Sequence, residues 1–260
     1  MASHNLTNNI KTSCLIISDT HNCEIASTEE GCPLAQKLPK VDVLLHCGDL
    51  TQVGNGEYWA THLDEDDEPE EHDEAFGIMT GKLAKEAGVT YLTEGTHQFT
   101  LSNGATFSLF ASPYQPECGE WAFGYPRNVD HFASKISENI DIMMTHGPPT
   151  GILDLIPTKN EHVGCDSLLK AVELARPKLH CFGHIHEGYG YEVKTWGGQA
   201  EEGGEADMCV SKAGVQLTGK EQMVLALKGE TLMVNAAIMD DSNRAVNAPW
   251  VVEMGLPRKA

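Results

Sequence analysis

The chain has no apolar run approaching the ~18 residues needed to span a bilayer, and no two of its cysteines are spaced C-x-x-C. The first absence excludes a membrane-spanning helix. The second excludes a zinc knuckle and leaves no sign of a disulfide framework. Cys14, Cys23, Cys32, Cys47, Cys118, Cys165, Cys181 and Cys209 are instead expected to be reduced and mostly buried, several of them inside apolar runs. Basic residues are scarce: 18 Lys and Arg stand against 38 Asp and Glu, a formal net charge of -20. A binder of nucleic-acid backbone needs the opposite sign, so a nucleic-acid polymer is excluded as a partner. Met1 to Thr12 lacks the apolar stretch of a signal peptide and Pro257 to Ala260 carries no prenylation signal; the expectation is a cytoplasmic protein with no membrane contact.

The sequence has 260 residues, which suits one domain with a sizeable core. Part of its negative charge is local, because Asp64 to Glu74 is almost wholly acidic and reads as a solvated loop containing or flanked by His62 and His72. A second irregular stretch, Gly197 to Gly204, is rich in Gly and Glu and reads as a flexible insertion. Between Leu50 and Gly88 no convincing buried strand occurs.

Elsewhere, short apolar runs end in polar turns. Cys14 to Ile17 runs into Ser18-Asp19-Thr20-His21, and Val41 to Leu45 into His46-Cys47-Gly48-Asp49. Ile140 to Met144 runs into Thr145-His146-Gly147-Pro148-Pro149, and Leu179 to Phe182 into Gly183-His184-Ile185-His186. Runs of four or five mostly apolar residues, interrupted only by Asp42, Asp141 and His180, predict strands covered on both faces. Asp166 to Ala175 predicts a helix with Asp166 as its N-cap and Leu168, Leu169, Val172 and Leu174 apolar. Phe99 to Leu101, Asn103-Gly104 and Thr106 to Ala111 predict a hairpin. Val89 to Leu92, Thr231 to Ile238 and Trp250 to Val252 are further strand candidates.

The four turns deliver Asp19, His21, Asp49, His146, His184 and His186. In α/β folds, sites form at the carboxyl ends of strands, so six potential ligands at four such ends would converge. Imidazole and carboxylate without thiolate suit Mn, Fe, Zn or a similar divalent ion. Singly, D-x-H, G-D or G-H-x-H is a weak signal, since each also occurs as an ordinary polar turn. Their joint occurrence, each at the end of an apolar run, is what points to a metal site.

These motifs resemble those of the calcineurin-like metallophosphoesterase superfamily, in the branch of the fetal-brain metallophosphoesterase-domain proteins and their fungal relatives. The resemblance is carried by Ile17 to His21, Leu44 to Thr51, Ala111-Ser112-Pro113-Tyr114-Gln115-Pro116, Thr145 to Pro149, Phe182 to Gly190 and Val234-Asn235-Ala236. It implies an α/β (α+β) fold, a two-layered β-sandwich flanked by helices, as a single domain over residues 1–260. It also implies two divalent metal ions. Asp19, His21 and His186 would hold one, His146 and His184 the other, and Asp49 would bridge. The implied reaction is hydrolysis of a small phosphoester, a phosphodiester such as a cyclic nucleotide, by a metal-bridged hydroxide.

One family motif is missing. The resemblance implies a strand ending in G-N-H after the G-D turn, its Asn a metal ligand and its His a proton donor to the leaving oxygen. Gly54-Asn55 lacks the His and follows Asp49 too closely for a parallel crossover, which needs at least ~10–12 residues. Gly95-Thr96-His97 has a His without the Asn, which makes His97 a weak candidate for a catalytic role. The expectation is a deletion of roughly one helix and one strand near residues 52–57. The alternative function that follows is a catalytically weakened scaffold that binds metal or nucleotide.

Overall fold

The structure, a computed structural model, describes residues 9–21, 23, 33–35, 37–50, 76–119, 123–197, 208–213, 223–225 and 230–259. In chain order the strands are β1 (Ile10–Ile17), β2 (Val43–His46), β3 (Gly95–Thr100), β4 (Thr106–Ser112), β5 (Gln115–Pro116), β6 (Gly124–Tyr125) and β7 (Ile142–Thr145). They continue as β8 (Leu155–Ile156), β9 (Glu161–His162), β10 (Leu179–Phe182), β11 (Gly190–Thr195), β12 (Met208–Lys212), β13 (Met223–Leu225), β14 (Glu230–Asn235) and β15 (Trp250–Leu256). The helices include α1 (Lys82–Glu86) and α2 (Asp166–Ala175).

Alternation along the strands explains the layering, because successive side chains point to opposite faces. One sheet has the order β13-β12-β15-β1-β2 and the other β11-β14-β10-β7-β4-β3. Ile16, Leu45, Val252 and Met254 of the first pack in one core with Leu109, Ile142, Leu179 and Val234 of the second. The intervening residues Phe110, Met143, Phe182 and Met233 face the other way and pack with Leu168 and Val172 of α2. The expected two-layered sandwich with helical cover is therefore present, mixed α/β in composition.

The inner strands run parallel where the site is built. β1 pairs parallel with β2, while β7 pairs parallel with both β10 and β4. Ser18 N–H donates to the Ala236 carbonyl at 2.9 Å, and Ile238 N–H to the Ser18 carbonyl at 3.0 Å. These bonds join the end of β1, in one sheet, to the segment leaving β14 in the other. No described helix is long and apolar enough to cross a membrane.

Several expectations change. Strands lie at all four apolar runs and at Glu230–Asn235, and β15 is longer than the run that signalled it. β2, however, is not covered on both faces. It is the last described strand of its sheet, and Leu44 is 55% exposed. Val89 to Leu92 forms no strand; the chain begins to pair only at Gly95. The Asn103-Gly104 hairpin is as expected, with Gly104 at φ 87° and the Asn103 side chain accepting from Ala105 N–H. The N-cap of α2 is Cys165, not Asp166. Cys165 has extended backbone and its sulfur accepts from Leu168 N–H, whereas Asp166 is already helical and sits in the first turn, where a negative charge favours the helix dipole. β11, β12 and β13 carried no clear signal. Cys14, Cys47, Cys165 and Cys181 are buried and free, Cys23 and Cys209 are half-buried, and Cys118 is exposed. The acidic loop 64–74, residues 52–57, His62, His72, Cys32 and all of the 197–204 insertion but Gly197 lie outside the described residues.

The apolar positions of α2 are unequal. Leu168 and Val172 are buried while Leu174 is 75% exposed. Leu168→Ala is expected to cost about 2–5 kcal/mol of unfolding free energy in urea titration, and Leu174→Ala within about 0.5 kcal/mol of none. Equal losses would contradict the packing.

Candidate metal centre

Each ligand-type side chain stands just past the end of a strand. Asp19 and His21 follow β1, Asp49 follows β2, His146 follows β7, and His184 and His186 follow β10. Four of the six have positive φ: Asp19 at 54°, His21 at 42°, Asp49 at 49° and His184 at 66°. A non-glycine residue in this region is strained by about 1–3 kcal/mol, and such residues cluster at functional sites.

Small residues make the approach possible. A Cβ added to Gly183 would lie 2.0 Å from Asp19 Oδ2, and one added to Gly48 would lie 2.3 Å from His146 Nδ1. Turn is tied to turn by backbone bonds. Asp19 N–H donates to the Gly48 carbonyl, His21 N–H to the Asp49 carbonyl and Gly183 N–H to the His146 carbonyl.

Two groups of donors result. Ligand atoms of Asp19, His21 and His186 lie within 4.8 Å of one another, as do those of Asp19, Asp49 and His146. His21 Nε2 and His186 Nε2 are 3.4 Å apart. Asp49 reaches both sides, with Oδ2 at 3.7 Å from His21 Nε2 and Oδ1 at 3.4 Å from His146 Nε2. His184 enters neither group through its ring. Its N–H donates to both Asp19 oxygens, at 3.1 and 3.0 Å, and its ring lies 4.9 Å from that of His146. Asp19, rather than Asp49, is common to both groups.

The donor set fits divalent metal. His146 Nδ1–H donates to the Cys47 carbonyl at 3.3 Å and His186 Nδ1–H to the Asp240 carbonyl at 3.0 Å, which leaves Nε2 of each ring toward the carboxylates. His21 Nδ1 is buried without a hydrogen-bond partner among the described residues. Burial pushes the His184 imidazole down to about 4, so it is neutral near pH 7 as a ligand must be. Burial alone would raise the Asp19 carboxyl. The hydrogen bond with His186 and the charges of His146 and His186 outweigh that and hold it well below the usual carboxylate range. Burial would likewise lower His186, but its bond to Asp19 holds it above its ordinary value. Among the described residues the ion pairs of Asp19 and Asp49 are with histidines.

His97 is elsewhere. It lies within β3, the edge of its sheet, and its Nε2–H donates to the Thr93 carbonyl at 2.9 Å. The Glu187 to Tyr191 stretch begins in a 3₁₀ turn (His186–Gly188) and continues into β11. Two supporting residues escaped the sequence reading. His46, pushed down to about 4 by burial, accepts from Gly48 N–H at Nδ1, and its Nε2–H donates to Thr20 Oγ1 at 3.0 Å, clamping two turns together. Asn235 donates from Nδ2 to the Ile185 carbonyl, at 2.8 Å, and to the Leu153 carbonyl, at 3.2 Å. His46 read as the first residue of a turn, and no spacing rule marks it; Asn235 had only its place in the family-like Val-Asn-Ala run.

Comparison with known proteins agrees with this geometry. Residues 12–188, more than half of the chain, match the family model described as calcineurin-like phosphoesterase. The chain is 34% identical over 204 residues to an Emericella nidulans protein named "Probable rhamnogalacturonate lyase C", covering 69% of this chain and 18% of that one. It is 34% identical over 157 residues to human "Metallophosphoesterase domain-containing protein 1", covering 59% of this chain and 38% of that one. To the Caenorhabditis elegans "UPF0046 protein C25E10.12" it is 26% identical over 267 residues, covering 93% and 80%. The matches thus span well under half the length of the first two relatives.

Because Gly183 has no room for a methyl group beside Asp19, Gly183→Ala is expected to weaken Mn²⁺ binding in calorimetry by at least about tenfold, a shift of about 1.4 kcal/mol. Unchanged affinity would contradict the close packing of the two turns.

Proposed function

The chain belongs to the calcineurin-like phosphoesterase family, and we propose from that premise that it hydrolyses a small phosphoester, a phosphodiester such as a cyclic nucleotide, at a centre of two divalent metal ions. The observation that carries this reading is the meeting of five imidazole and carboxylate side chains, Asp19, His21, Asp49, His146 and His186, with His184 beside them through its backbone N–H and its ring against His146. In this reading Asp19, His21 and His186 would hold one ion, His146 and His184 would hold the other, and Asp49 would lie between them, with Asp19 in both donor groups. Bound there, the ions supply Lewis acidity and lower the pKa of water.

The chain's own residues set the conditions for that chemistry. The carbonyls of Cys47 and Asp240 fix the rings of His146 and His186. Burial keeps His184 neutral, and the backbone bonds between turns hold the donors in place before substrate arrives. The free cysteines suit the reducing cytoplasm.

The chain is further proposed to be one domain that lacks about one strand and one helix near residues 52–57. Support comes from β2 as the last described strand of its sheet, with Leu44 exposed, and from a cavity of about 1270 Å³ bordered by Leu44, Phe99, Phe107 and Leu109. A longer transcript across the codons for Gln52 to Glu57 would bear this out, and a genomic sequence without such a segment would count against a splicing origin. The position of His97, bonded to Thr93, favours a second reading, a weakened metal- or nucleotide-binding scaffold.

One assay separates the two. With Mn²⁺ the chain is expected to hydrolyse bis-p-nitrophenyl phosphate, and Asp49→Ala to abolish that activity. Binding of metal or AMP without turnover would favour the scaffold, and no turnover with any divalent ion would sink the hydrolase reading. Activity should also fall in acid. His186 holds its proton to a higher pH than an ordinary histidine, and an ion must displace that proton, so loading begins to weaken above the ordinary histidine value of about 6.5 and falls further in acid. A rate that rises from pH 7.5 to pH 5.5 would contradict this.

A further inference from the structure

Asp154 and His162 form a carboxylate–imidazole pair that the metal centre does not use. Asp154 is fully buried. Its Oδ2 accepts from Gly151 N–H and Gly164 N–H, both at 2.9 Å, and its Oδ1 accepts from His162 Nδ1–H at 2.6 Å. The His162 side chain is 53% exposed. With Nδ1 turned inward to the carboxylate, Nε2 is on the open edge of the ring, and no hydrogen bond to it is recorded among the described residues.

The pair lies beside the turns that carry the imidazoles. Its loop leaves His146 through Gly147-Pro148-Pro149 and is pinned where Cys165 N–H donates to the Pro148 carbonyl at 3.0 Å. Leu153, next to Asp154, gives its carbonyl to Asn235, whose amide also holds the Ile185 carbonyl between His184 and His186. A Cβ on Gly188 would lie 1.9 Å from that Leu153 carbonyl oxygen, and β8 packs on the 3₁₀ turn His186–Gly188.

We propose that the Asp154–His162 pair donates the proton that the leaving oxygen of the ester takes up. This rests on the hydrolase reading. Water forms the new P–O bond and yields its proton to solvent. As the old P–O bond breaks, its electron pair stays on the leaving oxygen, which takes the Nε2 proton of the His162 imidazolium. Neutral His162 keeps its Nδ1–H on Asp154 and regains a proton from solvent, so one water is consumed for each ester cleaved. The buried carboxylate fixes the ring and its Nδ1–H form, as a carboxylate does behind a catalytic histidine elsewhere. A rival cluster serves less well: His131 Nε2 is held between Glu94 at 2.7 Å and Lys135 at 2.8 Å, and its ring is packed between Tyr114 and Tyr125.

The test compares Mn²⁺-loaded wild type with His162→Ala on aryl phosphodiesters whose leaving groups run from p-nitrophenol to unsubstituted phenol. A good leaving group hardly needs an acid, whereas a general acid is worth about 10²–10⁴-fold for a poor one. His162→Ala is therefore expected to leave the p-nitrophenyl ester within about threefold and to cut the phenyl ester by about 10²-fold or more, steepening the dependence on leaving-group pKa. Asp154→Asn should act in the same direction, and His162→Gln serves if the alanine variant does not fold. Equal losses on every ester, or no loss on any, would overturn the proposal while the hydrolase reading stood. No turnover of even the p-nitrophenyl ester by wild type would overturn the hydrolase reading and this role with it.

Discussion

A carboxylate with no exposure to water sits where the two sheets meet, and most of the site is arranged around it. Asp19 is fully buried, and an ionised group so placed costs several kcal/mol unless it is paired and hydrogen-bonded. Its partners are the His184 N–H and the His186 ring, with His146 close by, all delivered by the second sheet. The first sheet contributes the carboxylate and the second contributes what compensates it. The absence of side-chain volume at Gly183 and the positive φ of Asp19 and His184 both follow from bringing them that close.

The same constraint explains why the turns are bonded to each other. Ser18 bonds to Ala236, Asp19 to Gly48, Gly183 to His146, and Thr20 meets His46. A site assembled from four chain segments keeps its geometry only if the segments fix one another. β2 is a weak member of that frame. It has one described neighbour, β1, and Leu44 is open on its outer face. The Asp49 turn is still held, because Cys47 N–H bonds to Ile17 and His21 N–H bonds to Asp49.

Much of this was legible in the sequence. Apolar runs followed by polar turns marked β1, β2, β7 and β10 because buried parallel strands need apolar residues on both faces, and the turns after them held all six ligand-type side chains. β14 and the β3–β4 hairpin were equally readable. Tertiary context decided the rest. Cys165 caps α2 through its sulfur, although Asp166 had the stronger capping preference. Leu174 fits the apolar pattern but is 75% exposed. Val89 to Leu92 has strand-like residues but no partner strand among the described residues. That Asp19 joins both donor groups while the His184 ring joins neither depends on backbone angles that motif spacing does not encode. The Asp154–His162 pair arises from a hairpin register, Leu155 opposite His162, which no motif announces.

The central claim is that this constellation exists to hold a pair of divalent ions. Electron paramagnetic resonance of the full chain titrated with Mn²⁺ near pH 7.5 tests it most directly. At saturation the spectrum should become that of two exchange-coupled ions, and Asp19→Asn should remove the coupled signal. A saturated protein that gave only the six-line spectrum of isolated Mn²⁺, or no protein-bound signal at all, would contradict the account.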